Sequence, residues 1–173
     1  AKLLTALRGY LDTHNVARPA LLAHSMGNII VAESAKDDLL TADAGLLFSN
    51  LVLTSAAVKT KRHARWLDNI GAAERIYVSI NEHDLVLSAA GFAFRPNMLG
   101  CDLRPPGSTS ARVSYVDVSA CRVNHRYFVP QGQEKKASLA TLYRQLVTGS
   151  AVDFSGIAKP GDLNGIGVQR LTD

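Results

Sequence analysis

Short runs of uninterrupted apolar residues constrain the fold of this chain most strongly. One run is Ala20-Leu21-Leu22-Ala23, and a second is Leu51-Val52-Leu53-Thr54. Two further segments, 75–80 and 112–119, are rich in β-branched residues, which favour strands. Apolar strands that lack an alternating polar face are typical of a parallel sheet covered on both sides. The sequence therefore predicts about four buried, mainly parallel strands.

Helical segments alternate with these strands. Leucines recur at helical spacing in 2–13 and again in 134–147, and such spacing predicts amphipathic helices. Two further helices are predicted for 26–36 and 62–69. Alternation of strands and helices indicates an α/β fold, with a mainly parallel sheet and flanking helices.

Two segments lack this pattern. Residues 99–111 contain Pro105-Pro106-Gly107 and three hydroxyl residues, which predicts a surface loop. Residues 150–173 are rich in glycine, and we expect a loosely held C-terminal tail there. The predicted organisation is one domain over 1–149 and a tail over 150–173.

The composition is that of a globular protein and excludes several classes. The 173 residues suffice for one domain, and no apolar run approaches the roughly 20 residues of a membrane-spanning helix. The net charge of +4, from 19 Lys and Arg against 15 Asp and Glu, is mild and spread along the chain. We interpret its densest cluster, Lys59, Lys61, Arg62 and Arg65, as a solvated helix face rather than a nucleic-acid stripe.

The cysteines predict neither a disulfide scaffold nor a zinc site. Cys101 and Cys121 have no second cysteine or histidine at ligand spacing. We expect two unpaired thiols, although pairing remains the alternative if the protein is exported. No metal and no cofactor are expected, and the compartment stays open between cytoplasmic and exported.

One motif carries chemistry. The run 21–28 places Ser25 at a sharp junction between an apolar strand and a helix. Such a turn strains the serine backbone and lifts its hydroxyl above the carboxyl edge of the sheet. We expect Ala23 and Gly27 to be small because strand and helix pass closely, and the Met26 N–H to face a developing oxyanion. The alternative is a serine that caps an ordinary helix.

The segment Ala-His-Ser-Met-Gly-Asn, residues 23–28, resembles the nucleophile elbow of the α/β-hydrolase superfamily. Alanine stands where the first glycine of Gly-x-Ser-x-Gly is usual. The resemblance is to a bacterial esterase/lipase-like branch and covers roughly residues 1–148. It implies the C-terminal half of an α/β-hydrolase fold, with the chain order serine, acid, histidine.

That order points to an acid and a histidine. Asp84 follows the third strand and resembles the family acid; Glu82 is its rival, and a helix cap is the alternative role of Asp84. His125 follows the fourth strand and resembles the family histidine, although Asn124 stands where a glycine commonly precedes it. The remaining histidines fit less well: His14, His24, which is expected to face away from the serine, His63 and His83.

The resemblance implies a serine hydrolase that cleaves carboxylic esters through an acyl-enzyme. Only 17 residues separate Ala57 from Arg75, where the superfamily usually inserts a lid, so a large cap has no room and small esters are favoured. Ser25 would attack the acyl carbon, His125 would transfer the proton, and Asp84 would orient the imidazole. Two alternatives stay open: a non-catalytic binding module of the same fold, and an acyltransferase with the same triad.

The superfamily sheet has about four further strands before the elbow strand, and none of them is in this sequence. We therefore expect the elbow strand to have an unpaired edge. The chain is expected to pair with that N-terminal half of the domain or to self-associate.

Overall fold

The computed structural model describes residues 2–94, 97–104, 109–132 and 136–172. Within these ranges the chain forms helices α1 Lys2–His14, α2 Gly27–Lys36, α3 His63–Asp68, α4 Leu85–Phe94 and α5 Ala137–Thr148, and strands β1 Leu21–His24, β2 Phe48–Thr54, β3 Ala73–Ile80, β4 Val113–Asp117, β5 Ala158–Leu163 and β6 Ile166–Leu171.

The described strands form one sheet in the order β1-β2-β3-β4-β6-β5. Neighbours from β1 to β4 are parallel, β6 joins β4 in parallel, and β5 pairs antiparallel with β6. The α/β fold with a mainly parallel sheet and flanking helices is confirmed, as are all four predicted strands. Among the described strands, β1 lies at one edge of the sheet and pairs with β2 alone.

Six strands replace the expected four, because the segment taken for a loose tail contains a β-hairpin. Strands β5 and β6 are joined by Asn164-Gly165, both with positive φ (+56° and +81°), which suits a tight hairpin. Leu163, Ile166 and Val168 are buried in the core. The glycines therefore serve turns and pairing rather than mobility.

Apolar residues pack on both faces of the sheet. All seven residues of β2 are buried. Leu51 and Leu53 belong to one core cluster and Val52 to the other, where it packs with α5 residues such as Leu142. This arrangement explains why the strand sequence shows no polar alternation.

The segment 99–111 is not simply a surface loop. Leu99 and Leu103 are fully buried, and the backbone at Gly100 runs so close to Ala56 that an added Cβ would lie 2.2 Å from the Ala56 nitrogen. The prediction of a surface loop was wrong because it was based on the proline and glycine residues at the centre of the segment and not on its buried leucines. Residues 105–108, which include Pro105-Pro106-Gly107, lie outside the described ranges.

No disulfide joins Cys101 and Cys121. Burial raises the pKa of Cys101 to about 11, and Cys121 is fully buried. In the described part of the chain, no helix combines the length and the apolar character that a bilayer crossing requires.

A buried histidine anchors the start of α3. His63 Nδ1 lies 2.6 Å from the Thr60 carbonyl oxygen, and His63 Nε2 lies 2.7 Å from the Tyr115 hydroxyl. Burial lowers the pKa of His63 and raises that of Tyr115 to about 12. The imidazole is therefore neutral, donating from Nδ1 and accepting at Nε2.

Replacing Leu171 by alanine should lower the free energy of unfolding by about 2–5 kcal/mol, because the side chain is almost fully buried. Urea denaturation would measure the loss. Lys159→Ala on the paired strand is the control, since Lys159 is exposed. A loss below about 1 kcal/mol for Leu171→Ala would mean that the hairpin contributes little to the core.

Acid should destabilise the protein through His63. Its lowered native pKa means that the unfolded chain binds a proton that the folded chain does not. Stability is therefore present above the unfolded pKa of about 6.5 and is lost as the pH falls below it. Urea titrations across this range should show a smaller loss for His63→Asn than for the native chain. Equal losses would exclude His63 as the cause.

Candidate active site

The turn at Ser25 has the strained geometry that the motif predicts. Ser25 follows β1 with a φ of +51°, a region that non-glycine residues rarely adopt. Its N–H donates to the Thr54 carbonyl at 3.1 Å, and its own carbonyl accepts the Ala57 N–H at 3.2 Å. The backbone after β2 thus fixes the serine turn at the carboxyl edge of the sheet.

The capping alternative for Ser25 does not hold. Helix α2 begins at Gly27 with Met26 in the cap position, and no side-chain hydrogen bond caps it. Among the described residues, the Met26 N–H has no hydrogen-bond acceptor. A backbone N–H without an intrahelical acceptor is usual at the start of a helix.

The steric reason given for Gly27 is wrong. A Cβ built on Gly27 meets nothing within 4 Å, so the close passage of strand and helix does not require glycine there. Ala23 is buried in the core, as a small residue at that position should be.

Asp84 and His125 form a buried pair. His125 Nδ1 lies 2.8 Å from Asp84 Oδ2 and 3.0 Å from Oδ1. Asp84 is fully buried, and the His125 side chain is 14% exposed. Asp84 Oδ1 also accepts the Leu87 N–H at 3.1 Å, so the same carboxylate caps α4 and orients the imidazole.

Glu82, the rival acid, is exposed, and its backbone N–H donates to the Ser119 hydroxyl. It forms no ion pair in the described part of the structure. Of the two acids considered, Asp84 is the partner of the histidine.

Two side chains that sequence reasoning missed hold the His125 backbone. The Ser55 hydroxyl donates to the His125 carbonyl at 3.0 Å, and His24 Nε2 lies 3.1 Å from the same oxygen. Burial lowers the pKa of His24, so its neutral ring donates from Nε2. The His24 ring also packs against the His125 ring, with centroids 4.7 Å apart.

A network of buried hydroxyl groups supports the loop that contains His125. The Tyr127 hydroxyl lies 3.0 Å from Ser79 Oγ and accepts the Ser55 N–H at 3.1 Å. Ser79 Oγ and Thr54 Oγ1 both contact the Tyr143 hydroxyl, at 3.2 and 2.8 Å. Desolvation raises the pKa of Tyr143 well above its usual value, so the phenol stays neutral and can donate.

The structure brings Ser25, Asp84 and His125 to one edge of the sheet without completing a triad. Ser25 directly follows His24, whose ring contacts His125. In the described part of the chain, however, neither Ser25 Oγ nor His125 Nε2 makes a hydrogen bond. Of the two hydrogen bonds expected in a triad, the described structure therefore has the one between Asp84 and His125 but not the one between His125 and Ser25.

A cavity of about 800 Å³ opens beside His125. Its apolar lining comes from Leu85, Val86 and Val123, while Arg122 and Arg126 add positive charge. Leu85 is 79% exposed and lies in the first turn of α4. The cavity is large enough for a small organic ligand.

Comparison with known proteins adds no family and no relative: no protein-family model, curated protein or solved structure matches this chain. Across the described residues, no group of three or more histidine, cysteine or acidic side chains could hold a metal ion.

Removing the Asn28 amide should loosen the serine turn. Asn28 is fully buried, and its Nδ2 donates to the Ser25 carbonyl at 2.9 Å and the Thr54 carbonyl at 3.3 Å. Asn28→Ala should cost about 1–3 kcal/mol of unfolding free energy, measured in urea. Glu33→Ala on the exposed face of α2 should change it by under about 0.5 kcal/mol. Equal effects would show that the amide does not fix the turn.

Proposed function

We propose that this chain is part of an α/β-hydrolase domain and that it hydrolyses carboxylic esters with a serine nucleophile. The observation that carries the proposal is the buried Asp84–His125 pair at the sheet edge where Ser25 sits on a left-handed turn. A carboxylate that orients a histidine beside a strained serine is an arrangement suited to acyl transfer.

The roles follow from the chemistry of each group. Ser25 Oγ attacks the acyl carbon while its proton passes to His125 Nε2. His125 then delivers that proton to the departing alcohol, which leaves an acyl-serine. Water then attacks the acyl-serine while His125 takes its proton, and His125 returns that proton to Ser25 Oγ as the carboxylic acid departs. The Met26 N–H stabilises the oxyanion in both steps.

Asp84 prepares the histidine for this work. Its contact with Nδ1 fixes the tautomer that keeps Nε2 free to accept a proton, and it stabilises the imidazolium that results. Substrate contact would draw Ser25 Oγ and His125 Nε2 together, since catalytic hydrogen bonds are often long until the substrate is bound.

The cavity beside His125 suits part of a small ester. It contacts the histidine but not Ser25, so the portion it accepts lies on the side where the histidine protonates the leaving group. Its apolar lining favours a short hydrocarbon group there.

The proposal also predicts which strand pairs with the free edge of β1. In an α/β-hydrolase sheet the elbow strand is central, so β1 would pair there with a strand of the domain's N-terminal half or of a second copy. The unpaired edge is the feature that supports this part of the proposal.

A second candidate is a non-catalytic binding module. The absence of a serine–histidine hydrogen bond within the described residues favours it. The fold alone does not decide between the two functions.

A fluorophosphonate probe tests the nucleophile. The native chain should be labelled and Ser25→Ala should not, because the probe requires an activated serine hydroxyl. Ser88→Ala, which removes an exposed serine hydroxyl from α4, should be labelled like the native chain. Failure to label the native chain would favour the binding module.

Hydrolysis of p-nitrophenyl acetate tests the acid. Asp84→Asn should lower kcat by about 10⁴-fold, because the asparagine amide would donate to His125 Nδ1 and so favour the wrong imidazole tautomer. An asparagine Oδ1 can still accept the Leu87 N–H, so the α4 cap is retained. Glu82→Gln in the same loop is the matched control and should keep activity within about twofold. If both variants kept activity, Asp84 would have no catalytic role.

A further inference from the structure

A second cavity carries a local surplus of positive charge. This cavity has a volume of about 780 Å³, and five cations and one carboxylate line it: Lys36, Lys59, Lys61, Arg62, Arg65 and Glu33. Its surplus of four equals that of the whole chain, which has 19 cations and 15 carboxylates. The remaining residues therefore contain fourteen Lys and Arg and fourteen Asp and Glu, so their formal charges sum to zero.

The cations are not a helix face, contrary to the sequence interpretation. Lys59, Lys61 and Arg62 precede α3, and only Arg65 lies on it. They are exposed, and no carboxylate lies within 4.0 Å of these four in the described structure. Lys36 is the exception, since it pairs with Glu33 at 2.6 Å.

The backbone that presents these cations is firmly held. The Leu99 N–H donates to the Val58 carbonyl at 2.8 Å, and the Thr60 N–H donates to the Asn97 carbonyl at 2.9 Å. Thr60 is fully buried, and its carbonyl accepts from the buried His63. The backbone around Lys59 and Lys61 is thus fixed before a ligand binds. Binding therefore loses less backbone entropy.

The floor of the cavity is apolar. Ala32, Val58, Trp66 and Met98 line it and are all at least nine-tenths buried. An apolar floor below a cationic rim fits a ligand that has both a hydrocarbon part and a strongly anionic part. The volume lies within the range of small-molecule sites.

We propose that this cavity binds a phosphomonoester of a small apolar alcohol. A dianionic phosphate matches several cations at once, and arginine forks bind phosphate oxygens in pairs. A single carboxylate would engage fewer of them. The site is separate from the ester chemistry, although Ala57, which lines it, donates its N–H to the Ser25 carbonyl.

Calorimetric titration with n-hexyl phosphate tests the proposal. It should bind at least tenfold more tightly than inorganic phosphate, hexanol or hexanoate, and its affinity should fall as salt rises. Trp66 is the only tryptophan of the chain, so its fluorescence should change during the titration. Equal affinity for hexyl phosphate and hexanol, or for hexyl phosphate and inorganic phosphate, would overturn the proposal.

Charge-removing variants locate the site. The double variant Lys61→Gln with Arg65→Gln should weaken hexyl phosphate at least tenfold, while Arg144→Gln on the exposed face of α5 should not change it. Unchanged binding in the double variant would overturn the assignment. So would binding to phosphatidic acid vesicles without binding to hexyl phosphate, because a surface patch would then suffice. Ser25→Ala should bind like the native chain, so these results stand apart from the esterase test.

Discussion

The parallel pairing of β1 through β4 is the constraint on which the rest of the structure depends. Because parallel strands end at the same edge of a sheet, the turns after β1, β2, β3 and β4 meet there. Those turns supply Ser25, Ser55, Asp84 and His125. Residues separated by up to a hundred positions therefore become neighbours through backbone hydrogen bonding and burial alone.

The site is joined to the core by hydroxyl groups, not by apolar contact alone. Tyr127 and Tyr143 place their hydroxyls beside Ser79 on the central strand β3. Tyr127 also binds the backbone of Ser55, whose own hydroxyl holds the His125 carbonyl. A buried polar network whose members satisfy one another defines a single arrangement of the loop. The position of the imidazole is thus set by the interior of the sheet as well as by Asp84.

Much of the fold followed from local sequence pattern. Burial on both faces of the sheet makes the strand segments continuously apolar, and burial on one face gives the helices their spaced apolar residues. The strands predicted at 20–23 and 51–54 therefore agree with β1 and β2 to within a few residues. The hairpin was missed because Gly156, Gly161 and Gly165 were interpreted as flexibility, although Asn164-Gly165 between apolar residues is itself a hairpin signal. Helix α4 was considered only through the alternative role of Asp84 as a cap, because its sequence is mostly apolar and has no helical periodicity.

The site was less predictable, since its contacts join distant segments. The pairing of Asp84 with His125 could be expected from chain order, but the support of His125 by His24 and Ser55 could not. Likewise, the clustering of Lys36 with Lys59, Lys61 and Arg65 depends on how α2 packs near α3. The spacing of residues along the sequence does not show which distant segments come close together in the fold.

The full burial of Cys121 and the partial burial of Cys101 make the two thiols of this chain poorly reactive. A thiol with a pKa near 11 is ionised in only about one molecule in ten thousand at neutral pH, and the thiolate is the form that oxidants and alkylating agents attack. Cys121 is fully buried, so its thiol is shielded from both kinds of reagent.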